Sequence, residues 1–291
     1  MIPSAANPLL NRSYLQAVLR ENSLYLSRGR GQNFLVDGGV LARILEVAAL
    51  PPGGPILEIG AGLGTLSLEL RRMGPVLAVE SDRGLARLLP SFCPEGEGFL
   101  LIRGDFLKLD LSRLEEFAAG RPLCVVSNLP YSAAGAALGR LLGSSLQLGR
   151  MTCMLQKESA QRIVSPPGGK QYGFLSVIAG IYAPAHLHFS VPARAFFPIP
   201  RVDSAVVGFE PRLPRADDPD KKAVLRLVGA AFSQRRKMLK NALEQARQLD
   251  YTPDLIEEGC RQAGIDPSIR PERLFPGDFL RLTAILENFA R

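Results

Sequence analysis

From Pro55 to about residue 160 the chain repeats one pattern, and that pattern leaves few folds open. Short apolar runs of strand length alternate with segments of helical length. The strand-like runs are Ile56-Leu57-Glu58-Ile59, Val76-Leu77-Ala78-Val79, residues 99–102, a run ending at Ser127, and residues 151–156. The helical segments fall near residues 65–73, 82–89, 112–119 and 133–142, with another beginning near Lys157. Runs that are apolar throughout are buried on both faces, so the alternation predicts a parallel sheet covered by helices. Right-handed crossovers make such a sheet doubly wound, with ligands bound beyond the carboxyl ends of its strands where strand order reverses.

The flanking segments read differently. Residues 1–36 are polar and basic, and the Gly-rich stretch at 28–35 reads as a loop or lip. Asp37 can cap a helix through about Ala49, with Val40, Ile44 and Val47 on one face, and Pro51-Pro52-Gly53-Gly54 breaks the chain after it. Gly173–Tyr182 reads as a helix, and residues 186–189 and 205–209 read as a late antiparallel pair. Residues 211–220, with three prolines and three aspartates, read as a linker. Only helical patterns follow, near residues 222–248, 252–263 and 277–288. The expected organisation is an α/β domain over 1–212, a linker at 213–220 and a helical domain over 221–291. Residues 1–54 form an extension and lip of the first domain.

Charge is placed unevenly. The net charge of the 291-residue chain is +7. Between Lys221 and Arg247 stand eight basic residues and one acid, Glu244, so this one segment equals the whole excess. A neutral body carrying one concentrated basic element points to a polyanion partner there, with Arg235, Arg236, Lys237 and Lys240 as its densest part. No apolar run approaches the ~18 residues needed to span a bilayer, and no signal segment opens the chain. The four cysteines lack CxxC spacing and read as reduced thiols of a cytoplasmic protein. His186 and His188 share a strand face, but further ligands at suitable spacing are missing, so no metal is expected.

Four strand ends carry chemistry. Glu58-Ile59-Gly60-Ala61-Gly62-Leu63-Gly64 joins the first strand to its helix, and glycines there let a ligand approach the main chain. A dinucleotide fingerprint from Gly60 needs its third glycine at position 65, which is Thr. Glu80 ends the second strand, where a carboxylate can accept ribose hydroxyls. Asp105 and Phe106 follow the third, where they can meet an adenine amine and cover its ring. Asn128-Leu129-Pro130-Tyr131 follows the fourth strand. Asn128 offers an amide oxygen, and Pro130 biases Leu129 away from helical geometry, so that its carbonyl can face outward. Tyr131 adds a flat face. The group these residues suit is planar and carries an exocyclic amine.

These motifs resemble known families. The Gly60 loop is similar to motif I of class I S-adenosylmethionine methyltransferases, and Asn128–Tyr131 is similar to motif IV of N6-adenine methyltransferases. Gly31-Gln32-Asn33-Phe34-Leu35, Lys157-Glu158, Lys170-x-Tyr172-Gly173-x-Leu175-Ser176 and the stretch from Val191-Pro192 to Val202-Asp203-Ser204 resemble rRNA adenine dimethyltransferases, in order. Residues 231–241 resemble the C-terminal helix of the KsgA-type small-subunit enzymes.

The resemblance implies a Rossmann-like class I methyltransferase fold, α/β with a mostly parallel seven-stranded sheet, followed by a small all-α domain. It implies S-adenosylmethionine as cofactor, held by Asn33, Leu35, Gly60, Gly62, Glu80, Asp105, Phe106 and Asn128. It implies catalysis by Asn128, Leu129, Pro130 and Tyr131, with Phe196 as the second wall of a base sandwich. Gln32 is expected to shape the loop only. The implied partner is small-subunit rRNA in the 30S pre-ribosomal particle, bound by a monomer and dimethylated at N6 of two adjacent adenosines near its 3′ end. Two alternatives stand beside this. One is the large-subunit rRNA dimethyltransferase of macrolide resistance. The other is a non-catalytic nucleic-acid-binding relative, which would show eroded motifs. After Tyr131 the small residues 132–137 depart from the family's polar-Ile-Ser-Thr-like run.

Overall fold

A computed structural model describes residues 7–24, 32–96, 98–213, 215–234, 237–246 and 248–289. The strands, in chain order, are β1 (Phe34–Leu35), β2 (Ile56–Ile59), β3 (Val76–Glu80), β4 (Phe99–Arg103), β5 (Leu123–Asn128), β6 (Leu148–Gln156), β7 (Ala185–Val191), β8 (Phe196–Phe197) and β9 (Ser204–Phe209). The helices are α1 (Arg12–Glu21), α2 (Gly38–Ala48), α3 (Ser67–Leu70), α4 (Arg83–Leu88), α5 (Ser112–Ala118) and α6 (Ala134–Leu142). They continue with α7 (Lys157–Ile163), α8 (Phe174–Tyr182), α9 (Lys221–Ser233), α10 (Leu239–Glu244), α11 (Pro253–Gln262) and α12 (Pro276–Phe289).

The expected α/β fold is present: one seven-stranded sheet runs in the order β4-β3-β2-β5-β6-β9-β7. Every residue of β2 and β3 is buried, which is why, Glu58 and Glu80 apart, their sequences are apolar without alternation. The pairs β2/β3, β3/β4, β2/β5 and β5/β6 are parallel, and β6/β9 is antiparallel. Chain order reverses between β2 and β5, so the crevice of a doubly wound sheet opens at their carboxyl ends. The loops after Ile59 and Asn128 meet there.

The chain divides into two compact units. The first holds residues 1–137, 145–160 and 186–211, and the second holds 138–144, 161–185 and 212–291. The linker read at 213–220 therefore begins beside the last of these boundaries, while two earlier segments also belong to the second unit. The reason is burial. In α8 six of nine side chains are buried, and the helix packs on α9 and α12. Arg212 pins the linker by donating to both Asp218 carboxylate oxygens and to the Ile181 carbonyl.

Four local expectations change. In α2 the buried face is Leu41, Ile44 and Ala48, with Val40 and Val47 on its flanks, although Asp37 caps Val40 N–H as read. The helix near 65–73 shrinks to α3, whose N-terminus has no side-chain cap. Helix α1 lies in a stretch expected only to be polar and basic; Asn11 caps it, and Leu15, Val18 and Leu19 form its buried stripe. The helix read over 222–248 breaks after α9. Met238 is extended, and the first amides of α10 bond to the carbonyls of Ile269 and Pro267, so a neighbouring loop supplies what a continuous helix would have.

Among the described residues no helix is long and apolar enough to cross a membrane. All four cysteines are free and buried.

Candidate active site at the carboxyl end of the sheet

A cavity of about 450 Å³ lies in the first unit, at the crevice. Eleven of the residues named from the sequence line it: Asn33, Leu35, Gly60, Gly62, Glu80, Asp105, Phe106, Asn128, Leu129, Pro130 and Tyr131.

The glycine loop is held in left-handed backbone, with φ +77° at Gly60, +62° at Gly62 and +97° at Gly64. Side chains disfavour that region, and here space excludes them too. A Cβ on Gly60 would sit 2.9 Å from Pro130 Cγ, and one on Gly62 would sit 2.9 Å from Phe34 Cε1. The loop thus packs against both the Asn128–Tyr131 turn and the lip. Ser127 Oγ donates to the Ile59 carbonyl at 2.6 Å, which locks the two strand ends together.

Two buried carboxyls sit beneath this loop. Glu80 accepts from the backbone N–H of Gly62 (2.8 Å) and of Asp82 (2.7 Å), one to each oxygen. Burial raises its pKa, and the two N–H bonds oppose that rise. Each oxygen keeps a further lone pair for a hydroxyl donor. Glu58 is 1% exposed and accepts from Ser67 Oγ at 2.5 Å. Burial pushes its pKa up to about 8, with the Ser67 bond lowering it and the Glu80 charge adding to the rise. Asp105 is exposed; one of its oxygens caps Leu107 N–H, and Phe106 beside it is buried.

At the fourth strand end, Asn128 Nδ2 donates to the Asn33 carbonyl at 3.0 Å. That bond identifies the nitrogen of the amide, so the other atom is an acceptor. Leu129 N–H bonds to the Met154 carbonyl. The first acceptor of α6 is the Pro130 carbonyl, which takes both Ala133 and Ala134 N–H, so the Leu129 carbonyl stays out of the helix ladder. The Tyr131 hydroxyl shares a 2.6 Å bond with Ser204 Oγ, and burial raises its pKa.

Phe196 is a correction. It is fully buried in the core with Leu35, Val191 and Val206, and it does not line the cavity. In the antiparallel β1/β8 pair Phe196 opposes Leu35 and Phe197 opposes Phe34. Successive strand residues face opposite ways, and the apolar core takes Phe196. Phe197 stays half-buried, with the Arg12 guanidinium 5.2 Å from its ring centre.

Gln32, set aside in the sequence reading, does line the cavity, and its Nε2 donates to Asp82 Oδ2 at 3.0 Å. Its place in the Gly31–Leu35 motif was the available signal. Ser81, Leu85 and Leu107 also line the cavity, and nothing in the sequence marks them out. Of the cations named for RNA, Arg235 and Arg236 lie outside the described residues. Lys237 donates to Gln245 Oε1 and is exposed, whereas Lys240 is paired with Glu257 and lies 3.9 Å from Glu244. His186 and His188 stack edge-on, and among the described residues no group of three or more His, Cys, Asp or Glu could hold a metal.

The geometry therefore presents a glycine cradle, a buried carboxylate with spare lone pairs, an exposed carboxylate beside a buried ring, and two acceptor-bearing residues, Asn128 and Leu129, in the cavity lining. A nucleoside fits such a donor and acceptor set.

Comparison with known proteins agrees. A family model described as ribosomal RNA adenine dimethylase matches residues 27–268. A protein named ribosomal RNA small subunit methyltransferase A from Moorella thermoacetica is 37% identical, covering 94% of this chain and 96% of its own. The one of the same name from Magnetococcus marinus is 38% identical over 92% and 94%. The fold is shared with a dimethyladenosine transferase from Plasmodium falciparum, with TM-score 0.65, 21% identity, and 84% of this chain and 94% of that one covered. It is shared too with the 23S rRNA methyltransferase ErmE, with TM-score 0.61, 24% identity and coverage of 87% and 99%. With the family model spanning most of its length and relatives well above 30% identity along nearly all of it, the chain belongs to the ribosomal RNA adenine dimethylase family.

Proposed function

We propose that this enzyme transfers methyl groups from S-adenosylmethionine to N6 of two adjacent adenosines near the 3′ end of small-subunit rRNA during 30S assembly. The observation that carries the proposal is the close approach of Gly60 and Pro130, which supports reading the glycine loop and the Asn128–Tyr131 turn as two halves of one site. The reading calls for a monomer working in the cytoplasm.

S-adenosylmethionine, when bound, supplies an electrophilic sulfonium methyl. Glu80 would hold its ribose hydroxyls and Asp105 its adenine amine, with Phe106 over the ring and Asn33, Leu35, Gly60, Gly62 and Asn128 around the rest. On the target side, an adenine N6 is a poor nucleophile because its lone pair is delocalised into the ring. Accepting its hydrogens on Asn128 Oδ1 and the Leu129 carbonyl favours a pyramidal nitrogen with a localised pair. Both acceptors are fixed before the base arrives, so the site works by positioning. No strong base is needed, since the methylated nitrogen sheds its proton readily. Tyr131 offers one stacking face, worth roughly 1–3 kcal/mol against the few kcal/mol of unstacking a base. The cations of residues 221–247 would hold rRNA phosphates.

A large-subunit target is less supported, because relatives at 36–37% identity over most of the chain carry the small-subunit name. A purely binding relative is disfavoured because neither the glycine loop nor Asn128-Leu129-Pro130-Tyr131 is eroded. The test is to supply labelled S-adenosylmethionine with unmethylated small subunits, naked rRNA or large subunits, and to map the modified adenosines. Label on two adjacent small-subunit adenosines is expected. Label confined to large subunits, or no transfer with cofactor still bound, would overturn the reading.

A further inference from the structure

We propose that Lys157, Arg194 and Arg201 form a phosphate-binding rim for single-stranded RNA beside the target-base side of the cavity, assembled around Asp203. The proposal rests on the reading of the chain as an RNA adenine methyltransferase and names where the strand flanking the target base is held.

Asp203 is a backbone hub. Its carbonyl accepts Lys157 N–H at 3.0 Å, and its Oδ1 accepts Ala193 N–H at 2.9 Å. One hydrogen bond thus separates Asp203 from the start of α7, and another separates it from the residue before Arg194. Arg201 is two positions away along the chain. The next residue, Ser204, holds the Tyr131 hydroxyl, so the hub is tied directly to the cavity wall. Cα pairing of Gln156 with Ser204, and of Asn128 with Met154, puts all of these at one end of the sheet.

The side chains suit the task. Arg194 and Arg201 are exposed, Lys157 is half-buried, and none of the three has an ion-pair partner among the described residues. This contrasts with Lys240, whose charge is already answered by Glu257. Along the same stretch the chain exposes Ile199 (54%), between the two arginines, and Val202 (47%), directly after Arg201. Cations interleaved with exposed apolar groups match a strand whose phosphates and unstacked bases both need partners. Cation contacts to phosphate release counterions, so the rim has a measurable signature: affinity falls with salt in proportion to the contacts made.

The test uses the full chain with a single-stranded RNA spanning the target adenosines and, separately, the unmethylated small subunit. Replacing Lys157, Arg194 and Arg201 together by alanine is expected to flatten the log–log salt dependence of RNA binding by about 2, at roughly 0.7 per lost phosphate contact on a single strand. KM for RNA is expected to rise on the order of tenfold, with affinity for S-adenosylhomocysteine unchanged. The charge-keeping pair Arg194→Lys/Arg201→Lys is expected to retain the wild-type slope. An unchanged slope in the triple variant overturns the rim, and so does a slope lost equally in the charge-keeping pair. Because binding is read without turnover, failure of the wild type to methylate small subunits would sink the functional reading alone.

Discussion

The side-chain amide of Asn128 donates to the main-chain carbonyl of Asn33, 95 residues earlier, at 3.0 Å. One residue thereby joins the Asn33 segment to the turn proposed to meet the target base, and its own oxygen is oriented by the same bond. Asn128→Ala is expected to abolish methyl transfer and to weaken cofactor binding severalfold through the untied lip, while RNA affinity stays near wild type. Single-turnover transfer, cofactor titration and RNA filter binding separate the three. Equal loss of RNA affinity and transfer would refute this division of labour.

Gly60→Ala adds one carbon where φ is +77° and Pro130 Cγ lies 2.9 Å away. Strained backbone of this kind costs of order 1–3 kcal/mol, before the steric shift is added. The variant is expected to melt several degrees lower and to bind S-adenosylhomocysteine at least tenfold more weakly, because relief of the clash moves the cradle. Calorimetry with and without the ligand checks both.

Glu58 makes stability depend on pH in an unusual direction for a carboxyl. Its pKa is raised by burial to about 8, well above the unfolded value of 4.5. The folded state then binds the extra proton between those limits, so stability falls as pH rises from about 4.5 to about 8 and levels off above. Glu58→Gln keeps an acceptor for Ser67 and removes the titration. Its midpoint in urea is expected to match wild type near pH 5 and to exceed it increasingly towards pH 9. Parallel curves across that range would show that Glu58 does not titrate as its burial implies.

Phe196 is fully buried, so Phe196→Ala is expected to destabilise the first unit by about 3–5 kcal/mol, in the manner of a large core deletion. Phe196→Leu should retain most of the transfer rate. Tyr131→Ala is the contrasting variant: it lines the cavity, and loss of its stacking face should cost roughly 10–100-fold in kcat/KM for RNA. Urea melts and steady-state kinetics on all three settle which aromatic meets the base.

Much of this was legible in the sequence, for physical reasons that differ by residue. Short apolar runs of strand length bounded by turn residues read as interior strands, so β2, β3 and β5 could be read to within a residue or two. Glycines at a strand end signal close approach, and the acids Glu80 and Asp105 at successive strand ends point at one crevice once the sheet is parallel. The nine cavity residues at or just after strand ends follow from chain order and topology, whereas Asn33 and Leu35 came only with the family resemblance.

What the sequence could not determine depends on direction and on partners remote along the chain. Phe196 and Phe197 are chemically equivalent neighbours, and only pairing with Phe34–Leu35 decides which faces the core. Lys237 and Lys240 look alike in a basic run, yet Glu257, 17 residues beyond Lys240, answers one of them. The break before α10 is set by the carbonyls of Pro267 and Ile269, not by any breaker in the local sequence. Local patterning thus determined the strands and the chemistry at their ends. The tertiary structure decided which of two similar side chains was spent on packing or pairing, because that choice is made by contacts with residues far away in the chain.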